Sequence, residues 1–233
     1  MSFFPRNTAH AFCLVAVALF TTSSLASVVI TGTRVIYPSD AKEVSVKLNN
    51  VGPSPVLIQS WIDTGDTAAK PAAIQVPFVL TPPMNRVEPS KGQTLRISYT
   101  GGALPMDRES VFWLNVLEIP AKKMAKAEDN LLQMAFRSRI KLFYRPVGLV
   151  GNANDAVKAV TWSAKGNSLQ AINPTPYHVS FASITVNGKT VEGEMVAPHG
   201  TQTFTLPVKA GNNVTGNFVN DYGAVNSFNA IIK

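Results

Sequence analysis

Short stretches in which apolar and polar residues alternate cover most of the chain after residue 27. Apolar side chains recur at every second position in 44–48 and in 95–99, and turn-forming Pro, Gly and Asn residues separate such stretches. A period of two is typical of half-buried β-strands. No stretch of comparable length has the 3.6-residue period of an amphipathic helix. The pattern predicts an all-β fold.

Two stretches depart from this simple alternation. Residues 111–119 are apolar at both odd and even positions, which is typical of a central strand covered on both faces. Residues 131–144 carry alternating apolar side chains over a length well above the usual strand of about 5–6 residues. A long apolar strand at a sheet edge favours pairing with another chain. Alternation alone leaves open whether its apolar side chains face their own core or a partner.

The composition changes near residues 145–148, where the long strand ends in Arg-Pro-Val-Gly. A second series of short apolar stretches follows, and Asn187-Gly188 between two of them is a strong hairpin signal. Strands at intervals of about ten residues are typical of β-sandwiches. We therefore predict two β-sandwich domains, 27–147 and 148–233.

The first 26 residues have the pattern of a secretory signal peptide. Arg6 precedes an apolar run at 11–20, and the segment ends in small residues at Ser24 and Ala26. The run is too short to span a bilayer. We predict export, with cleavage after Ala26; a buried N-terminal helix is the alternative.

Residues that could carry out catalysis are scarce. The single cysteine, Cys13, lies in the predicted signal peptide, and neither His178 nor His199 stands in a metal-binding or catalytic spacing. The sequence contains no nucleophile elbow and no phosphate-binding glycine loop. We therefore predict no catalytic residue, no metal and no cofactor, although a pair of carboxylates brought together in space, as in glycosidases, stays open.

The formal net charge of +7 first suggests a nucleic-acid ligand. Lys and Arg are scattered along the chain rather than gathered in one run, however, so a generally basic surface is the better interpretation. Past the predicted signal peptide no apolar run is long enough to cross a bilayer. We expect neither nucleic-acid binding nor membrane insertion.

Six segments form a recognisable series over nearly the whole chain. They are Thr33-Arg-Val-Ile-Tyr-Pro38, Pro82-Pro-Met-Asn-Arg-Val-Glu-Pro89, Leu104-Pro-Met-Asp-Arg-Glu-Ser-Val-Phe-Trp113, Ile140-Lys-Leu-Phe-Tyr-Arg-Pro146, Asn173-Pro-Thr-Pro-Tyr177 and Asn220-Asp-Tyr-Gly223. In order and spacing this series resembles the periplasmic chaperones of the chaperone–usher pathway, which mature pilus subunits. Any one segment could arise by chance; the whole series is specific.

The resemblance implies two immunoglobulin-like domains arranged as a boomerang, with a cleft between them. Such a chaperone lends the last strand of its first domain to an incomplete pilus subunit, which is donor-strand complementation, and delivers the subunit to an outer-membrane usher. Pilus subunits and the usher are therefore the expected partners, and the periplasm is the expected location. A self-capping oligomer of the subunit-free chain is left open.

The lent strand corresponds to residues 131–144. The resemblance implies that Leu132, Met134 and Phe136 fill the groove of the subunit. Strict alternation puts Lys141 on the opposite face from Phe136, so we expect a bulge or a strong twist at 137–139 to reconcile the two.

Two further groups of residues match positions that this family uses. Arg34 and Lys141 match the two cleft cations that grip the C-terminal carboxylate of the subunit. Glu109, Arg145 and Asp221 match a salt-bridge network between the domains.

Two other functions remain as alternatives at this point. A secreted adhesin or structural subunit would have residues 131–144 fully inside its sheet, whereas a carrier would have Arg34 and Lys141 on adjoining walls of a cleft. A carbohydrate-active enzyme would need two carboxylates facing each other across a groove.

Overall fold

The computed structural model describes residues 27–121 and 134–233. The predicted signal peptide and Leu132 lie outside this part of the chain. The strands before residue 146 are β1 (Val28–Ile30), β2 (Arg34–Pro38), β3 (Val44–Asn50), β4 (Val56–Asp63), β5 (Phe78–Thr81), β6 (Met84–Val87), β7 (Gly92–Tyr99), β8 (Ser110–Pro120) and β9 (Phe136–Arg145). The strands after it are β10 (Thr161–Lys165), β11 (Ser168–Ile172), β12 (Val179–Val186), β13 (Lys189–Glu192), β14 (Met195–Val196), β15 (Thr201–Phe204), β16 (Asn213–Val219) and β17 (Val225–Ile231).

Helical structure in the described residues is limited to three single turns. They are the 3₁₀ turns Pro71–Ala73 and Ala153–Asp155 and the α-helix α1 (Ala156–Ala159). The sequence did not predict α1, because a single turn is too short to show a helical period. Within the described part of the chain no helix has the length and apolar character needed to cross a membrane.

The first nine strands form a sandwich of two sheets. One sheet has the order β1-β3-β7-β5, and the other has the order β2-β9-β8-β4-β6, in which β2 and β9 are parallel. The buried faces of both sheets share one hydrophobic cluster, whose fully buried members include Leu48, Ile97, Leu114 and Leu142. The alternation of these strands follows directly from this geometry, because one face of each sheet meets the core.

The later strands form a second sandwich with its own core. Its sheets are β10-β11-β15 and β13-β12-β16-β17, with β14 beside β12. Trp162 is the largest fully buried side chain here and stacks on Phe228 at 5.4 Å between ring centroids. The predicted hairpin is confirmed, because Asn187 and Gly188 both have positive φ between the paired residues of β12 and β13.

The chain passes from the first sandwich to the second just after β9. Arg145 ends β9, and Leu149 already packs against the second core. A division after Val147 is compatible with both observations and stays a prediction.

The predicted central strand is β8, which lies between β9 and β4. Phe112, Leu114 and Val116 point into the core. On the other face, Trp113 lies beneath Arg139 of β9, and Asn115 donates to Asp63 of β4. Covering on both faces explains why the alternation is lost there.

Strand β9 has one fully paired edge and one partly open edge. Residues 136–144 pair with β8, but β2 pairs only with 141–145. Among the described residues, the edge of 136–140 that faces away from β8 has no strand partner. We call this segment the open edge of β9 (residues 136–140).

We expected a bulge or a strong twist at 137–139; the bulge is wrong, and the twist stays a prediction. The β8–β9 register runs without a shift from Glu118 opposite Phe136 to Ser110 opposite Tyr144. Phe136 and Lys141 therefore lie on opposite faces of a regular strand. No bulge is needed, since the cleft between the domains lies on one face of β9 and the core on the other.

Candidate functional site

Arg34 and Lys141 are neighbours at the end of the open edge of β9. They are the first residue pair of the parallel β2–β9 register. The Arg34 Nη1 atom donates to the carbonyl oxygen of Val219 at 2.8 Å, and the Lys141 Nζ atom donates to the Ser180 hydroxyl at 3.3 Å. Val219 and Ser180 belong to the second sandwich. The two cations therefore lie in the cleft between the domains.

Neither cation forms a salt bridge within the described residues. Burial and the positive charge of Arg34 lower the pKa of Lys141 to about 8, and burial also lowers the pKa of Arg34. The Nε atom of Arg34 is buried without a hydrogen-bond partner in the described part of the structure. Two adjacent, half-buried positive charges that form no salt bridge among the described residues favour a negatively charged ligand.

Trp113 and Asp63 organise the same face of the sheet. The Trp113 ring centroid lies 5.6 Å from Lys141 Nζ and 4.3 Å from the guanidinium carbon of Arg139. Buried Asp63 forms a 2.6 Å salt bridge with Arg139, which neutralises that charge. Lys141, in contrast, forms no salt bridge among the described residues. Trp113 ends one of the six recognised segments, but its position in sequence did not predict these contacts.

The structure brings Glu109, Arg145 and Asp221 together across the domain boundary. Arg145 Nε donates to Glu109 Oε1 at 2.6 Å, and its two Nη atoms donate to both Asp221 oxygens at 2.7 and 2.9 Å. Burial opposes the charge on Arg145, but these hydrogen bonds and the two negative charges raise its pKa. A bidentate pair of this kind fixes geometry as well as charge.

Two residues that the sequence analysis did not connect with the interface extend it. The backbone nitrogen of His178 donates to Glu109 Oε2 at 2.8 Å, and its Nδ1 atom lies 3.2 Å from the same oxygen. Gly223 has φ +81°, and a Cβ atom there would lie 2.5 Å from the Thr33 hydroxyl. Gly223 therefore permits the close approach of the two domains.

Arg145→Ala should lower the free energy of unfolding by about 3 kcal/mol, because it leaves the buried Glu109 carboxylate without its main cation. Denaturant unfolding measures this loss, and small-angle scattering should show a changed angle between the domains. Arg108→Ala is the matched control, since within the described part of the chain Arg108 pairs with exposed Asp107 alone. It should leave both measurements unchanged. Equal stability and equal scattering for the parent and Arg145→Ala would contradict a role of the network in fixing the domains.

Both sandwiches of this chain match families of known proteins. The family described as "Pili and flagellar-assembly chaperone, PapD N-terminal domain" matches residues 27–150, and "Pili assembly chaperone PapD, C-terminal domain" matches residues 155–230. "Probable fimbrial chaperone YadV" of Escherichia coli is 47% identical, with 97% of each chain covered.

Solved structures agree with this assignment. The Pseudomonas aeruginosa CupB2 chaperone is 39% identical at a TM-score of 0.77, covering 88% of this chain and 100% of that one. The structure of the Salmonella enterica SafB chaperone in complex with the SafA pilin also matches, at 30% identity and a TM-score of 0.79. The match covers 90% of this chain and 98% of that one. Chaperones of this family are not enzymes, as the sequence analysis expected. The chain belongs to the PapD-like family of pilus-assembly chaperones of the chaperone–usher system, with the two-domain immunoglobulin-like fold that its six segments predicted.

Proposed function

We propose that this chaperone binds pilus subunits by donor-strand complementation, anchors their C-terminal carboxylate on Arg34 and Lys141, and delivers them to an outer-membrane usher. One observation carries the proposal: the open edge of β9 ends at these two cations, which form no salt bridge among the described residues. The structural relative SafB, which is solved with a pilin, supports a pilus subunit as the ligand.

The anchor defines the direction of the bound strand. A subunit strand that ends at Arg34 and Lys141 must extend along the open edge of β9 toward Phe136. Because β9 itself runs from Phe136 toward Lys141, the two strands are parallel. The five residues of the open edge span about 16 Å at 3.3 Å each, and their main-chain hydrogen bonds supply affinity without regard to side-chain identity.

The two interpretations of the alternating apolar residues apply to different parts of the strand. Leu142 and Tyr144 are buried in the domain's own core. Phe136 and Met134, in contrast, are 39% and 51% exposed, and they carry the proposed contacts with the subunit groove. Leu132 lies outside the described residues and stays a predicted third contact.

We also propose that residues 1–26 are a signal peptide removed after Ala26 and that the chaperone acts in the periplasm. The charged start and short apolar run of this segment support export. The open edge of β9 with its exposed apolar side chains supports self-capping by a second copy when no subunit is bound.

The alternative functions are less well supported. For an adhesin or structural subunit we expected residues 131–144 fully inside the sheet, whereas one edge of residues 136–140 has no strand partner among the described residues. Glu109 and Asp221, the carboxylates that line the cleft, are both held by Arg145 and do not face each other across a substrate groove as in a glycosidase.

Co-expression with candidate pilus subunits tests the proposal. Pull-down from periplasmic extract should recover a one-to-one complex with the full-length subunit. The same subunit without its last few residues should not be recovered, because it lacks the strand end that places the carboxylate at the cations. Equal recovery of both subunits would contradict the anchor.

Subunit binding should weaken at alkaline pH. In the free chaperone the pKa of Lys141 is about 8, and a bound carboxylate favours the ammonium form and raises it. Affinity is therefore full below about pH 8 and falls as pH rises toward the pKa of the complex, by up to about tenfold per pH unit. Calorimetry with a peptide of the subunit's C-terminal strand measures this between about pH 7 and about pH 9.5.

Lys141→Arg is the control for this experiment, because an arginine stays charged over the whole range. Its affinity should change little with pH. A parent affinity that is equally independent of pH would exclude Lys141 as the titrating anchor.

A further inference from the structure

Glu118 is a buried carboxylate that the carrier function does not use. It lies on β8, on the face that packs into the first core, and is 7% exposed. Within residues 27–121 and 134–233 no Lys, Arg or His forms a salt bridge with it. A buried carboxylate without a cation is costly, so a positive partner would stabilise the fold.

The donors to Glu118 come from the two residues that follow the predicted cleavage position. The Val28 nitrogen donates to Oε2 at 2.9 Å, and the Ser27 nitrogen donates to Oε1 at 3.3 Å. The Ser27 hydroxyl also donates to Oε1. Both oxygens of the carboxylate are thus directed at the start of β1.

Ser27 is held from its other sides as well. Its carbonyl oxygen accepts a 2.8 Å hydrogen bond from the Val51 nitrogen. A Cβ atom on Gly52 would lie 2.5 Å from the Ser27 Cβ atom, so the glycine leaves just enough room. Ser27 therefore lies in a closely fitting slot between Glu118 and the turn at 51–52.

We propose that the α-ammonium group of Ser27, released when the signal peptide is removed, forms a partly buried ion pair with Glu118. The inference rests on the cleavage position in the proposed function. Hydrolysis of the Ala26–Ser27 bond adds water, leaves the carboxylate on Ala26 and leaves an amine on Ser27. That amine takes up a proton at neutral pH, since the usual α-amino pKa is about 7.7–8.0. A neutral amide donor thereby becomes a cation at the same place.

The pair joins the two sheets of the first sandwich beside the functional edge. Ser27 leads into β1 of one sheet, and Glu118 belongs to β8 of the other. Glu118 is also the cross-strand partner of Phe136, the first residue of the open edge of β9. Removal of the signal peptide would therefore create this ion pair beside Phe136, where pairing with the subunit begins.

A double-mutant cycle on the subunit-free protein tests the proposal. A cleavable tag yields one protein that begins at Ser27 and one that retains Ala26, each with Glu118 or Glu118→Gln. Retaining Ala26 should raise the unfolding equilibrium constant about tenfold or more, because the ammonium group is displaced from the carboxylate. In Glu118→Gln the same extension should change it less than about twofold. An extension that costs as much in Glu118→Gln as in the parent overturns the ion pair.

Three further measurements complete the test. Ser27→Ala removes the hydroxyl but keeps the terminal amine. Retaining Ala26 in this variant should still raise the unfolding equilibrium constant. Should Glu118→Gln fail to fold, equal unfolding midpoints for the Ser27 and Ala26 proteins overturn the proposal. The mass of the exported protein should match a chain that begins at Ser27, and any other start overturns it too. No subunit is present in the unfolding experiments, so their failure leaves the carrier function untouched.

Discussion

Lys141→Met is expected to abolish subunit capture without weakening the free chaperone. The lost charge-assisted hydrogen bond to the carboxylate is worth about 1.5–3 kcal/mol, which corresponds to a ten- to hundred-fold or greater loss of affinity. The folded state lowers the pKa of Lys141 from 10.5 to about 8, so its charge disfavours folding below about pH 8. The melting temperature of Lys141→Met should therefore equal or exceed that of the parent. Pull-down and thermal unfolding measure the two effects.

Lys47→Met is the matched control, because Lys47 is an exposed residue of β3 in the same domain. It should capture subunits normally. Arg34→Ala should also lose capture, but it removes the hydrogen bond to Val219 as well and should lower stability. Normal capture by Lys141→Met would mean that the two cations do not hold the carboxylate.

Phe136→Ser should leave a folded chaperone that binds subunits at least about tenfold more weakly. Burial of a Phe side chain in an apolar groove contributes about 1.5–3 kcal/mol, and serine supplies none of it. Serine is a better choice than glutamate, since residue 136 lies directly opposite Glu118 and two carboxylates there would repel each other. Affinity for a purified subunit and denaturant unfolding measure the two properties separately.

Val79→Ser is the control for this substitution, because Val79 is a 50% exposed apolar residue on β5, in the other sheet of the domain. It should bind subunits as the parent does. If Phe136→Ser bound subunits with the affinity of the parent, the Phe136 side chain would have no part in binding, and β9 would act through its main chain alone.

The fold could be predicted from the sequence because its strands bury one face each. In β3 and β7 the alternation follows the boundary between core and solvent, and it predicted both strands. The same rule correctly put Phe136 and Lys141 on opposite faces of β9, but the bulge that we added as one way to reconcile them is absent. That error came from the assumption that the cations and the donor side chains must share a face, whereas the cleft and the core lie on opposite sides of β9.

The candidate site could be predicted only in part. Arg34 and Lys141 are far apart in sequence, and the resemblance to a family, not their spacing, suggested that they meet; the parallel β2–β9 pairing places them side by side. No pattern in the sequence predicted the contacts of Trp113 and Glu118. Trp113 lies beneath two cations, and Glu118 points toward the core. Both placements depend on which strands become neighbours in the sheet, and tertiary packing decides that.

Cysteine cross-linking tests the parallel strand pairing most directly. Cys13 is the single cysteine of the chain, so the protein without residues 1–26 contains none, and one cysteine can be introduced at either Ser138 or Met134. Each variant is then combined with a series of single cysteines in the last strand of the subunit. Parallel pairing from the carboxylate anchor predicts that moving the chaperone cysteine from Ser138 to Met134 shifts the cross-linked subunit position about four residues away from its C-terminus. A shift toward the C-terminus, or no preferred position at all, would contradict the proposed mode of subunit capture.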